Sequence, residues 1–260
     1  MKINLTSRDI TVIAICSALY AVVGYLTGFI SFYGIGFLPA VVIPAVFAAL
    51  YGPWVGGISG AIGIFLRDML VHGNAPLSLV AGVPPNFVLF FLIGYLYTKS
   101  ISLKQVLTCV SLAAVGLLVF SIFSIVFPSD VAVVTGGISS GVFLFISALT
   151  IVVSLVVIAV VSIRWKEWRS YAIGAVVGQI AGCFLLSVTV WAVSPLFTKE
   201  LPAMAAIGVL PLFVWLIATE IPFILLVGPP IIKVVREAFP ALQYKSKTSQ
   251  GGGTIAQKDS

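Results

Sequence analysis

Residues 52–70 read GPWVGGISGAIGIFLRDML. On a helix, Gly52, Gly56, Gly60 and Gly63 fall on one stripe, and one turn further along that stripe stands Arg67, followed by Asp68. The rest of the run is apolar or small. Where lipid surrounds the helices, a small-residue stripe is what lets two backbones approach closely, so this run reads as a membrane span with a helical neighbour. The stripe turns Arg67 toward protein rather than lipid. An ionisable residue in a span is costly unless paired or hydrated, and it marks either a functional site or a buried ion pair.

The whole chain agrees with that reading. Of its 260 residues, 60% are hydrophobic and only 8% charged, with a mean hydropathy of +1.20. Soluble domains carry about 25% charged residues, so a water-soluble fold is excluded. The net charge of +6 comes from basic residues scattered singly between apolar runs, without the basic patch and interleaved aromatics of a nucleic-acid binder. Cys16, Cys109 and Cys183 each sit alone in a different apolar run and read as packing residues, so neither a metal centre nor a redox pair is expected. No sequence motif calls for a cofactor.

A hydrocarbon core about 30 Å thick takes about 20 apolar residues as a helix. The runs are 10–30, 38–51, 54–70, 84–98, 106–127, 138–163, 171–193 and 204–232. The expected fold is therefore all-α, a polytopic integral membrane helical bundle of about eight spans, six or seven if the short second and fourth runs do not cross. Lys2 and Arg8 precede the first run, which is too long for a signal-peptide core and reads as a retained span. With the N-terminus cytoplasmic, Lys99, Lys104, Arg164, Lys166, Arg169, Lys233 and Arg236 share its side, and the C-terminus is cytoplasmic too. Residues 1–238 form the transmembrane domain. Residues 239–260, ending SKTSQGGGTIAQKDS, read as a disordered cytoplasmic tail.

Candidate site residues follow from polar groups placed where lipid should be. Arg67 and Asp68 are the first. The connection His72-Gly73-Asn74-Ala75-Pro76 is polar and turn-forming, with Asn74 a candidate and His72 read as a solvated loop histidine. Pro84-Pro85-Asn86 opens the fourth run, the prolines as helix initiators and Asn86 as an amide that needs a partner, ligand or backbone. Glu220 stands near the middle of the last run, within reach of a direct or water-bridged pair with Arg67, and Gln179 in the seventh run is a candidate of the same kind. The first run carries Ala14, Ala18, Ala21, Gly24 and Gly28 as a ridge of small residues, which pattern alone assigns to internal packing. No catalytic motif is present, and without a Walker loop any ATP-driven work needs a partner.

Three segments, TSRDITVIAICSALYAVVGYL (6–26), FLPAVVIPAVFAALYGPWVGGISGAIGIFLRDML (37–70) and GVPPNFVLFFLIGYLY (82–97), together resemble the substrate-binding S component of energy-coupling factor (ECF) transporters. The resemblance implies a protein that captures a vitamin or vitamin precursor on the outer side of the membrane. It then works with a transmembrane coupling protein and two cytoplasmic ATPases. It assigns Ala14 and Ala18 to docking on the coupling protein, against the internal-packing reading. It also makes residues 31–37, with Gly34 and Gly36, a lid. Family members usually have six spans, so two extra ones are expected within 106–163. On this reading Arg67, Asp68, Asn74, Asn86, Gln179 and Glu220 contact the substrate, Arg67 meeting an anionic or carbonyl group. Metal cargo is disfavoured, since the chain has no histidine-rich N-terminus. The rival readings are a self-sufficient proton-coupled secondary transporter working through Glu220, and a membrane-embedded enzyme or assembly subunit.

Overall fold

The computed structural model describes residues 5–28, 31–32, 35–36, 38–126, 140–201 and 204–239. Among these are eight helices: α1 (Ser7–Thr27), α2 (Val42–Tyr51), α3 (Pro53–Val71), α4 (Ala75–Tyr97), α5 (Leu103–Val126), α6 (Ser140–Arg164), α7 (Arg169–Val193) and α8 (Val209–Ala238). Six of them, α1, α3, α4, α6, α7 and α8, are long and apolar enough to cross a membrane. The 10 residues of α2 rise about 15 Å, half a bilayer core, even with the short 3-10 turn Pro39–Val41 leading into it. In α5 the fully described apolar stretch is Leu103–Gly116. Between α1 and α2, β1 (Ser31–Phe32) and β2 (Ile35–Gly36) pair antiparallel. The expected lid coincides with this hairpin, although Gly34 lies outside the described residues, as do 240–260 of the expected tail.

Local chemistry sets the helix limits. Thr6 and Asp9 cap α1 reciprocally, each side chain receiving the other residue's backbone N–H. Gly52 takes φ 95° between α2 and α3, a left-handed conformation that glycine tolerates and other residues resist, and Pro53 then starts α3. Gly52 therefore ends the glycine stripe outside the helix. The remaining glycines serve three neighbours rather than one. A Cβ on Gly56 would strike Ala48 of α2, one on Gly60 would strike the Phe90 ring of α4, and one on Gly63 would stand 2.7 Å from Tyr20 Cδ1 of α1. This places α3 at the centre of the first half of the chain.

The fourth run begins earlier than expected. Asn74 caps the helix through Oδ1, which accepts from Leu77 N at 3.0 Å, with Pro76 in the first turn. The helix then widens into a π turn over Ser78–Gly82, where Val83 N bonds to Ser78 O. Pro84 and Pro85 follow immediately. They stand in the first turn of the regular α segment, but they do not open the helix. The wide turn absorbs the backbone amides that prolines cannot supply.

α4 packs along α3 and α7, α3 along α1, and α8 against α7 and α2. These six helices form one body. The pair α5 and α6 lies to its side, packed on each other, with α6 also touching α8. Of the two extra spans expected within 106–163, only α6 is long and apolar enough over its described residues to cross a membrane.

Arg8, Lys99 and Arg236 gather at one end, whereas Arg67 and Lys199 lie toward the other. Arg8 lies over the Tyr51 ring at the close of α2, Arg236 over Tyr97 at the close of α4, and Ser170 Oγ donates to the Lys99 carbonyl. These contacts bring the starts of α1 and α7 to the same end as the finishes of α2, α4 and α8.

Candidate functional site

At the opposite end, where α3 and α7 finish and α4 and α8 begin, a cavity opens among α3, α4, α7, α8 and the Glu200–Leu201 segment. Leu38, Ile64, Leu89, Leu186, Val190 and Leu216 form its apolar walls. Arg67, Asp68, His72, Ser78, Asn86, Glu200 and Glu220 supply its polar groups. It leaves about 80 Å³ over which the centre of a water molecule can move, several times what one ordered water needs.

Arg67 is only 7% exposed, its stem against Gly24 of α1 and its Nη2 where a Cβ on Gly28 would stand 2.6 Å away. Its ion pair is with its neighbour: Nη1 donates to Asp68 Oδ1 at 3.2 Å. No salt bridge joins it to Glu220 among the described residues, so the direct pair considered from the sequence does not form. The two charges share the cavity instead. Of the five N–H donors of a guanidinium, this one gives a single bond among the described residues, and Nε is buried with no partner among them.

Asp68 is anchored from the π turn. Ser78 Oγ donates to Asp68 Oδ2 at 2.7 Å, and Gly82 has no Cβ to block that oxygen. His72, one turn beyond Asp68, aims Nε2 at Asp68 Oδ1 from 4.0 Å. Its Nδ1 accepts the backbone N–H of Asn74 at 3.1 Å, so in neutral form its proton stands on Nε2, facing the carboxylate. His72 is thus half-buried against the cavity rather than solvated. The i,i+4 spacing from Asp68 was the sequence clue.

Asn86 turns out to be bonded on both sides. Tyr20 of α1 donates from its hydroxyl to Asn86 Oδ1 at 2.8 Å, and Asn86 Nδ2 donates to Gly82 O at 3.0 Å. The amide still borders the cavity, and among the described residues one N–H and one lone pair of it have no partner. Glu220, 6% exposed, receives Gln179 Nε2 on Oε2 at 2.5 Å. Gln179 does not line the cavity. It holds Glu220 from behind, and its own Oε1 is buried without a partner on the wall of a separate apolar space among α5 to α8.

Asn74 also lies outside the cavity lining. Besides capping α4, its Nδ2 donates to Glu200 Oε1 at 3.0 Å and so tethers the segment after α7. Four of the six expected residues, Arg67, Asp68, Asn86 and Glu220, therefore line one cavity, and Asn74 and Gln179 support it. Ser78, Glu200 and Tyr20 were not anticipated. The bonds that recruit Glu200 and Tyr20 span 126 and 66 residues of chain, and neither leaves a local pattern.

The small-residue ridge of α1 divides. Ala21 and Gly24 are buried, whereas Ala14 and Ala18 are exposed on a face with Ile10, Ile15, Leu19 and Val22. Internal packing therefore fails for the two alanines.

Residues 8–129 match the family described as "ECF transporter, substrate-specific component". This stretch, just under half of the chain, is therefore similar to the substrate-specific component of such transporters. A "UPF0397 protein" of Aliivibrio fischeri (strain MJ11) is 36% identical over 80 residues, 30% of this chain and 44% of that protein. A "UPF0397 protein" of Aliivibrio salmonicida (strain LFI1238) is 35% identical over a stretch of the same length. The match thus spans under half the length of these curated relatives. No solved structure matches the chain with significance. With that similarity and six helices long and apolar enough to cross a membrane, the chain is a multi-pass integral protein of the cell membrane. Among the described residues no group of His, Cys, Asp and Glu is placed to hold a metal ion.

Proposed function

We propose that the chain is the substrate-capture component of an ECF-type importer, taking up a vitamin or vitamin precursor from the outer side. A coupling protein and two ATPases supply the energy. The observation that carries this reading is the gathering of buried Arg67, Asp68, Asn86 and Glu220 around one cavity, at the end opposite Arg8 and Arg236. The positive-inside bias makes the basic end cytoplasmic and the cavity end external. Among the described residues four donors of Arg67 and one N–H and one lone pair of Asn86 are unused, a set suited to the edge of a small polar molecule, while the leucines and valine seat its apolar part. The exposed Ala14 and Ala18 face fits docking on a membrane-embedded partner, because small side chains permit close helix approach in lipid.

The test is to purify the full chain in mild detergent, denature it, and identify by mass spectrometry any small molecule that travels with it. A retained vitamin-like compound is expected, with Arg67→Ala and Asn86→Ala proteins, still folded, retaining less. Uptake that persists without any ATPase partner and collapses with the proton gradient would overturn this reading in favour of a Glu220-driven secondary transporter.

A further inference from the structure

The charges around the cavity do not balance. Among the described residues that line it, one arginine faces three carboxyl groups, those of Asp68, Glu200 and Glu220, and the one titratable ring is His72, whose Nδ1 is already an acceptor. Arg67 and Asp68 neutralise each other at 3.2 Å. Asp68 is further satisfied by Ser78. That leaves Glu200, near the surface and bonded to Asn74, and Glu220, deep in the wall. Glu220 has no cation within salt-bridge distance among the described residues, and one neutral amide donor holds one of its oxygens. A carboxyl so placed has lost its water without gaining a counter-charge, so a ligand that brings a positive charge supplies the partner that its ionised form lacks. Across the cavity the buried Arg67 guanidinium keeps donors that no group among the described residues uses. An acceptor atom on the ligand fits there.

Resting on the capture reading above, we infer that the cavity selects a small organic cation: a protonated amidine or ring nitrogen directed at Glu220, with an oxygen or unprotonated nitrogen directed at Arg67. A free carboxylate or phosphate on the ligand is disfavoured. Arg67 already has its anion in Asp68, and a second would stand among three carboxylates. This reverses the expectation of an anionic group at Arg67 and keeps the alternative of a neutral acceptor there.

Benzamidine, benzamide and benzoate share one shape and carry charges of plus one, zero and minus one. The full chain in detergent, with any retained molecule first removed, is titrated with each, and binding is followed by thermal shift and by ligand-observed NMR at roughly millimolar concentrations, as fragments of this size require. The expected order is benzamidine over benzamide over benzoate, with benzamidine ahead of benzoate by at least about tenfold. Glu220→Gln keeps an amide facing Gln179 and should lower benzamidine affinity about tenfold while leaving benzamide within about threefold. Should that variant fail to fold, Glu200→Gln provides a smaller loss of the same sign. Benzoate binding as well as benzamidine, a charge order that survives Glu220→Gln, or no binding by any of the three would overturn the inference. A retained molecule that proves neutral or anionic would also overturn it, while leaving capture intact.

Discussion

Tyr20 on α1 and Asn86 on α4 meet in the interior through a 2.8 Å hydrogen bond, the phenol donating to the amide oxygen. The bond ties the first helix to the cavity wall, because the other end of the same amide closes on the π turn at Gly82. Tyr20→Phe keeps the ring against Phe90 and removes only the donor. It should lower stability by about 1 kcal/mol. Thermal unfolding in detergent measures this, and an unchanged midpoint would mean that Asn86 finds another donor.

Gly60 and Phe90 form a matched pair, since any side chain on the glycine collides with the ring. Gly60→Ala alone should destabilise by about 1–3 kcal/mol through overpacking. Joined to Phe90→Leu it should be less harmful than the two losses added together. Strict additivity in a double-mutant cycle would contradict direct contact.

The Arg67 and Asp68 charges are buried together. Arg67→Met leaves a buried carboxylate held by Ser78 and should cost about 3–5 kcal/mol. Arg67→Met combined with Asp68→Asn should recover a large part of that loss. Folded yield and unfolding midpoint report both, and equal damage from the single and the double variants would show that the charge pair is not the issue.

Asn74→Ala removes the α4 cap and the tether to Glu200 at once. About 1 kcal/mol of local stability should go with the cap. Lys199 stands exposed beside that tether, so tryptic cleavage after Lys199 should quicken in the variant, while other sites keep their rates.

On α1, Ala18→Trp points outward and should leave unfolding unchanged, whereas Ala21→Trp is driven into the core and should not fold. If the proposed docking face is right, Ala18→Trp also keeps fragment binding but loses co-purification with the coupling protein. A stable complex with the Trp variant would remove that face from the interaction.

Much of this architecture could be read from the chain because lipid imposes a simple rule of length and polarity, and because Arg67, Asp68 and Glu220 stand out against their apolar runs. The start of α4 was misread for a physical reason. Two adjacent prolines are strong helix openers, and only a change of helix type lets the chain pass them from an earlier cap at Asn74. The glycine stripe was read as one contact face, whereas helical glycines distribute their clearance around the axis, and which neighbour fills each is set by elements distant in sequence. The bonds made by Tyr20 and Glu200 belong to that same class of long-range information.

The hydrogen bond from Ser170 to the Lys99 carbonyl joins the two points where the chain leaves the six-helix body for α5 and returns to it after α6. A detour whose ends touch can lengthen, shorten or vanish without stretching anything outside it. It also goes out and comes back, so the sidedness of every other helix is indifferent to its presence. Nothing lining the polar cavity lies on α5 or α6, and this part of the molecule is therefore free to diverge at a different rate from the site it stands beside.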